Sequence, residues 1–193
     1  MVEVNGTVAD GFGKVADAFA ANFAEFPELG AGFALYADGE AKVDIWAGVA
    51  DKASGRAWDE RTLQLVFSTT KGAAAICVAR LVDAGRLHYD DTVASHWPEF
   101  AAGGKERITV RQMMSHQAGL PYVDQVLPLA DLLAVTPVVE ALAAQTPVWE
   151  PGSTHGYHAL TYGWLAGELV RRIDGRTLGT YFAEEVAGPL GLD

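Results

Sequence analysis

The stretch that most restricts what this chain can fold into is GAGFALYADGEAKVDIWAGVAD, residues 30–51. It reads as two β-rich runs joined by Asp38-Gly39, a dipeptide suited to the positive φ angles of a two-residue hairpin turn. Apolar side chains fall on both faces of this ribbon (Phe33, Leu35, Ile45, Trp46). A lone two-stranded ribbon is marginal in water, so more strands are required. The rest of the chain reads almost wholly as helix. This imbalance predicts a piece of a larger α+β fold, cut after Asp193, whose sheet is completed by strands that the sequence does not contain. Gly30-Ala31-Gly32, ahead of the first strand, points to close backbone approach by a neighbour.

Helical periodicity runs from Thr7 to about Phe26 (Val8, Phe12, Val15, Phe19, Phe23, Phe26) and Pro27 closes it. Residues 51–61 are polar and turn-like. LVFSTTKGAAAICVARLVDAG, residues 65–85, predicts a helix stopped at Gly85. A loop with short helical turns follows, then a short helix in VRQMMSHQAGLPYV ended by Gly119 and Pro121. Residues 129–146 read as one helix with Pro137 near its first turn or at a kink. TYGWLAGELVRRID is an amphipathic helix stopped by Gly175, and the last helix is expected to break at Gly188-Pro189. The organisation is one partial domain. About 1–66 supplies the N-terminal helix and hairpin, and about 67–193 a mostly helical region.

Chemistry enters at the start of the apolar helix. Between Gly72 and Ala84 only Arg80 and Asp83 are charged, so the helix is expected to be buried nearly all round. Ser68 and Lys71 lie three residues apart, about 60° around the axis and one turn along it, so their side chains can meet. Burial and the positive helix N-terminus both disfavour an ammonium, which predicts a Lys71 amine partly neutral near pH 7. A neutral amine beside a hydroxyl is a general base beside a nucleophile. The unpaired N–H groups of the same helix start, that of Ser68 included, would hold the oxyanion formed when an ester or amide carbonyl is attacked. Tyr157, on the Gly-rich loop before TYGWLAGELVRRID, is the candidate for a second proton carrier. Near two cations its phenol would have a lowered pKa.

FSTTK at 67–71, ITVRQMMSHQAGLP at 108–121 and WEPGSTHGYHALTYGWLAGELVRRIDG at 149–175 resemble, in order and spacing, the serine hydrolases of the class C β-lactamase fold. That group includes esterase family VIII, D-aminopeptidases and acyltransferases. The resemblance covers roughly residues 30–193. It implies a β-lactamase/transpeptidase-like fold, an antiparallel sheet flanked by helices plus a helical domain. It also implies an acyl-enzyme on Ser68, assistance from Lys71, and Tyr157 as base and acid. SHQAGLP would wall the cleft, making Tyr122 a pocket residue and His116 a buried hydrogen-bonding group. Trp149 is a candidate for the acyl pocket, and His158 and Ala159 for substrate contact near Tyr157.

Two departures shape the expected activity. The family's Tyr-x-Asn stands here as Tyr157-His158-Ala159, without the amide that β-lactamases use, which resembles the esterase branch. The family's late Lys/His/Trp-x-Gly tripeptide, whose strand supplies the second oxyanion N–H, has no match before Asp193. The expected function is a carboxylesterase. β-Lactamase, D-aminopeptidase or amidase, and acyltransferase remain the alternatives within the fold, and a non-catalytic binding or assembly protein the alternative outside it.

Other chemistries find no support. Neither a phosphate-binding glycine loop nor G-x-S-x-G is present. His155 and His158 lack a third ligand in any metal pattern, so neither metal nor organic cofactor is expected. Acidic residues outnumber basic ones 25 to 14, for a net charge of −11, a surface that nucleic acid and anionic membranes repel. The expected partner is a small ester or amide. One cysteine, Cys77, set in the apolar helix, cannot form an internal disulfide. With no leader and no long apolar run, a cytoplasmic protein is expected.

Overall fold

The computed structural model of the chain describes residues 2–192, which fall into two compact units, Met1–Leu65 and Val66–Asp193.

In the first unit the elements are β1 (Val4–Val8), α1 (Gly13–Glu25), β2 (Gly30–Ala37), β3 (Glu40–Asp51) and β4 (Arg56–Ala57). β3 is the centre of an antiparallel sheet and pairs with β1, β2 and β4. The β2–β3 hairpin closes through Asp38 and Gly39, with φ of 54° and 78°, between the paired Ala37 and Glu40. Val43, Ile45 and Ala47 alternate inward along β3 and are buried against Phe12, Val15, Phe19 and Phe23 of α1 and its N-terminal flank. That alternation is the two-residue period of a half-buried strand.

The hairpin therefore finds pairing partners within this chain, which corrects the expectation that they must all come from outside it. β1 escaped the sequence reading because Asn5-Gly6 punctuates a five-residue strand and helical periodicity starts directly behind it. The helix begins at Gly13, not Thr7.

The second unit opens with a 3-10 turn, Phe67–Thr69, running into α2 (Thr70–Asp83). α2 ends where Gly85 N–H donates to Val82 and Arg86 N–H to Leu81, the paired bonds of a Schellman stop. Then come α3 (Val93–His96), a 3-10 stretch at Pro98–Gly104, α4 (Val110–Met114), α5 (Leu129–Ala134), α6 (Thr136–Ala144) and α7 (Thr161–Asp174). α8 (Leu178–Phe182) continues through a π turn, Ala183–Ala187, into α9 (Gly188–Leu190). The expected single helix over 129–146 is two. Val135 adopts φ 67° and ψ −55° between them, a sparsely populated backbone conformation that costs about 1–3 kcal/mol, and Pro137 sits in the first turn of α6. The final helix passes through Gly188-Pro189 and stops at Gly191.

The core of this unit joins Cys77, Val78 and Leu81 of α2 to Leu165, Leu169 and Val170 of α7, with Trp97, Phe100, Ile108, Met113, Leu120 and Leu142 around them. Each large aliphatic side chain there holds about 2–5 kcal/mol against truncation to alanine. α2 is less buried than its composition suggests: Ala74, Cys77, Val78 and Leu81 face the core, while Ile76 is 49% exposed. No described helix is long and apolar enough to cross a membrane.

Candidate active site

Three side chains converge at the start of α2. Lys71 Nζ lies 3.1 Å from Ser68 Oγ and donates to the Ala159 carbonyl at 2.7 Å. The Tyr157 hydroxyl donates to Ser68 Oγ at 2.5 Å. Ser68 and Lys71 meet because they are one turn apart. Tyr157 comes from 89 positions further along the chain, carried by the loop that feeds α7.

Ser68 is not the helix N-cap. It sits in the middle of the 3-10 turn, and Thr69 precedes α2. Phe67, just before it, has φ 44° although it is neither glycine nor asparagine, a strained geometry of the kind found at functional turns. Its side chain is exposed, so packing does not explain the strain. Among the described residues no backbone carbonyl accepts from the Ser68 N–H. That N–H remains available to an incoming oxyanion.

Lys71 is half-buried rather than sealed, which corrects the expectation of a fully buried helix start. Its Nζ lies 4.8 Å from the Tyr157 ring centre and 5.9 Å from that of Tyr162. Two aromatic faces and a carbonyl thus replace part of its water. The phenol of Tyr157 is held below the ordinary tyrosine value, first by its hydrogen bond with Ser68 and then by Lys71. The cause is one hydroxyl and one cation, where two cations were expected.

The loop around Tyr157 is fixed from SHQAGLP. Thr109 and Gln112 cap α4 reciprocally, and the chain turns sharply at His116, φ 64°. Gly156 N–H donates to the His116 carbonyl at 3.1 Å, and Thr161 at the head of α7 donates to the Leu120 carbonyl at 2.6 Å. Gly156 is required by space: a Cβ there would stand 2.6 Å from the Trp149 ring.

The remaining nominated residues separate. His158 is fully buried, and its ring accepts from the Leu120 N–H at 3.0 Å. It ties the loops together and does not face substrate, a correction whose reason is that a ring flanked by two loops here meets their backbone instead of solvent. Trp149 lies against Gly156 and edge-on to His158 at 5.9 Å. It thus backs the Tyr157 loop, and its buried indole N–H has no partner among the described residues. Ala159 contributes its carbonyl, and its side chain is exposed. Tyr122 is 55% exposed, and its carbonyl accepts from Gln145. No hydrogen bond or ring contact brings it to Ser68. His116 is half-buried, with its ring 5.2 Å from that of Tyr157. Sequence reasoning missed the strained Phe67, the Ala159 carbonyl and Tyr162. Of these only Tyr162 carried a signal, as an aromatic residue on the buried stripe of an amphipathic helix. Among the described residues no cluster of three or more His, Cys, Asp or Glu could hold a metal.

Comparison with known proteins identifies the family and the fold. The Beta-lactamase family model matches residues 19–193. Esterase/beta-lactamase LipL of Mycobacterium tuberculosis is 41% identical over 182 residues, covering 94% of this chain and 42% of that protein. A family VIII carboxylesterase superposes with TM-score 0.93 at 48% identity, covering 98% of this chain and 52% of that one. A penicillin-binding protein homologue from Caulobacter crescentus gives 0.94 at 47% identity, with 99% and 52% covered. The fold is thus β-lactamase/transpeptidase-like, and the chain spans about half the length of the relatives it matches.

Proposed function

We propose that this chain, which belongs to the Beta-lactamase family, carries the nucleophile of a serine acyl hydrolase, a carboxylesterase working through an acyl-enzyme on Ser68. The observation that carries the reading is the short contact of Tyr157 with Ser68, 2.5 Å, beside a lysine amine at 3.1 Å. In the phenolate form Tyr157 accepts the Ser68 proton while Oγ bonds to the ester carbonyl carbon. The carbonyl electron pair moves onto oxygen, opposite the free Ser68 N–H. When the tetrahedral carbon collapses, the C–O bond to the alcohol breaks and the leaving alkoxide takes the proton from Tyr157. Water repeats the sequence: it gives a proton to Tyr157 as it attacks, and Ser68 recovers that proton as the acid departs. Lys71 supports the phenolate electrostatically and fixes its own position on the Ala159 carbonyl.

Esterase is favoured over β-lactamase because the second residue after Tyr157 is Ala159, which has no side-chain amide to hold a lactam substituent. The name of one relative, a family VIII carboxylesterase, supports the same choice, while that of another, an esterase/beta-lactamase, fits either activity. The substrate class is a small ester or amide, with neither nucleic acid nor membrane as partner. A cytoplasmic location belongs to the same reading and is supported by the buried free thiol of Cys77 and the acidic composition.

The test is fluorophosphonate labelling with peptide mapping, followed by p-nitrophenyl acetate and butyrate turnover. Label on Ser68, with both signals lost in Ser68→Ala, is expected. Turnover that survives Ser68→Ala overturns the reading.

A further inference from the structure

We propose that His116 and His158 are positioning residues that hold Tyr157 on Ser68 only while both imidazoles are neutral. The proposal rests on the reading of Tyr157 as the proton carrier, but its geometry stands by itself. His158 Nε2 accepts from the Leu120 N–H at 3.0 Å, and its Nδ1 is 2.6 Å from the Gly156 carbonyl. An amide N–H only donates and a carbonyl only accepts. Nε2 must therefore keep its lone pair, and Nδ1 must carry the proton. His116 obeys the same logic. Its Nδ1 accepts from the His158 N–H at 3.0 Å, so in the neutral ring the proton is on Nε2.

Four hydrogen bonds thus bracket Tyr157. Gly156 N–H binds the His116 carbonyl, Gly156 carbonyl binds His158 Nδ1, His158 N–H binds His116 Nδ1 and Leu120 N–H binds His158 Nε2. Two of them end on imidazole lone pairs. Protonating either ring sets N–H against N–H at 3.0 Å, which removes the bond and buries an unpaired donor. No hydrogen bond joins either ring to Ser68, Lys71 or the Tyr157 hydroxyl, which makes these groups positioning rather than catalytic.

The surroundings oppose protonation. His116 faces Lys71 of α2, His155 and Tyr157 of the loop, His158, and Tyr162 of α7 at 5.0 Å between rings. His158 faces His116, Trp149, Leu120 and the Gly156 carbonyl. No carboxylate is among these partners. Burial holds both imidazoles below the ordinary histidine value. Lys71 and His155 add to this for His116, whereas the Gly156 carbonyl opposes it for His158. The folded state binds fewer protons than the unfolded chain, so the clamp is at full strength above about pH 6.5 and weakens as pH falls below it.

The experiment follows the whole chain from about pH 8 to about pH 4.5, across the histidine range, by amide exchange at Leu120 and His158 and by the rate of fluorophosphonate labelling at Ser68. The two amides are expected to lose protection in one acidic step, together with labelling, while amides of the buried α7 stay protected. His116→Leu should slow labelling by about 10- to 100-fold, the scale of a misplaced reacting group. In His116→Asn, Oδ1 can stand in for Nδ1 as an acceptor that does not titrate in this range. It should recover most of that rate. If His116→Leu does not fold, the Asn variant alone decides. Unchanged protection of Leu120 and His158 across the acidic range, or labelling slowed about 10- to 100-fold in His116→Asn as well, overturns the clamp. Protection lost as described in a chain that never labels Ser68 upholds the clamp and overturns the hydrolase reading instead.

Discussion

The turn bearing Ser68 and the loop bearing Tyr157 bring two side-chain oxygens to 2.5 Å by opposite means. The Ser68 turn is exposed and strained at Phe67. The Tyr157 loop exposes its phenol but is pinned on both sides of that residue, by backbone, imidazole and indole. The local pair, Ser68 and Lys71, needs only helical geometry to meet, so its accuracy costs little structure. The distant partner can be aimed only by tertiary contacts. The half of the site held by tertiary hydrogen bonds is therefore the half that comes from far away in sequence.

The sharpest ways to break this contrast remove the reacting groups. Tyr157→Phe and Lys71→Ala should each slow Ser68 labelling by at least about 100-fold, the scale of general-base loss. Either variant at the wild-type rate removes that residue from the mechanism. Next comes the pinned loop. His158→Ala leaves the Leu120 N–H without its acceptor and opens a buried space, and should lower stability by about 2–4 kcal/mol in chemical denaturation. Gly156→Ala forces a methyl into the Trp149 ring and should cost about 1–3 kcal/mol. A neutral effect there would mean that the loop yields. The smallest effect belongs to the turn: Phe67→Gly relieves the left-handed backbone and should raise stability by up to about 1 kcal/mol, while labelling slows as Ser68 loses its fixed direction. Stability lowered in Phe67→Gly would contradict the strain.

The same contrast explains what could be read from residues alone. A three-residue spacing encodes Ser68 and Lys71, and α7 shows its buried stripe directly. Two β-rich runs joined by Asp38-Gly39 marked β2 and β3. β1 was hidden because a short strand containing Asn5-Gly6 acquires its meaning only from pairing with β3. His158 was misplaced for a similar reason: its partner, Leu120, is 38 residues away, and a polar residue near a nucleophile looks like a substrate contact until its bonds are seen. Tyr157 was a candidate from its place on a Gly-rich loop, and the family resemblance gave it the part of base and acid. No local pattern distinguishes a phenol that carries protons from one that packs.

The most direct measurement is the titration of the Tyr157 phenol, taken as the ultraviolet difference between the wild type and Tyr157→Phe and repeated in a Lys71→Met background. The site as described predicts a midpoint below the ordinary value of 10 that moves upward when Lys71 loses its charge. A phenol that ionises at or above that value, indifferent to Lys71, would contradict the claim that Ser68 and Lys71 make Tyr157 the base.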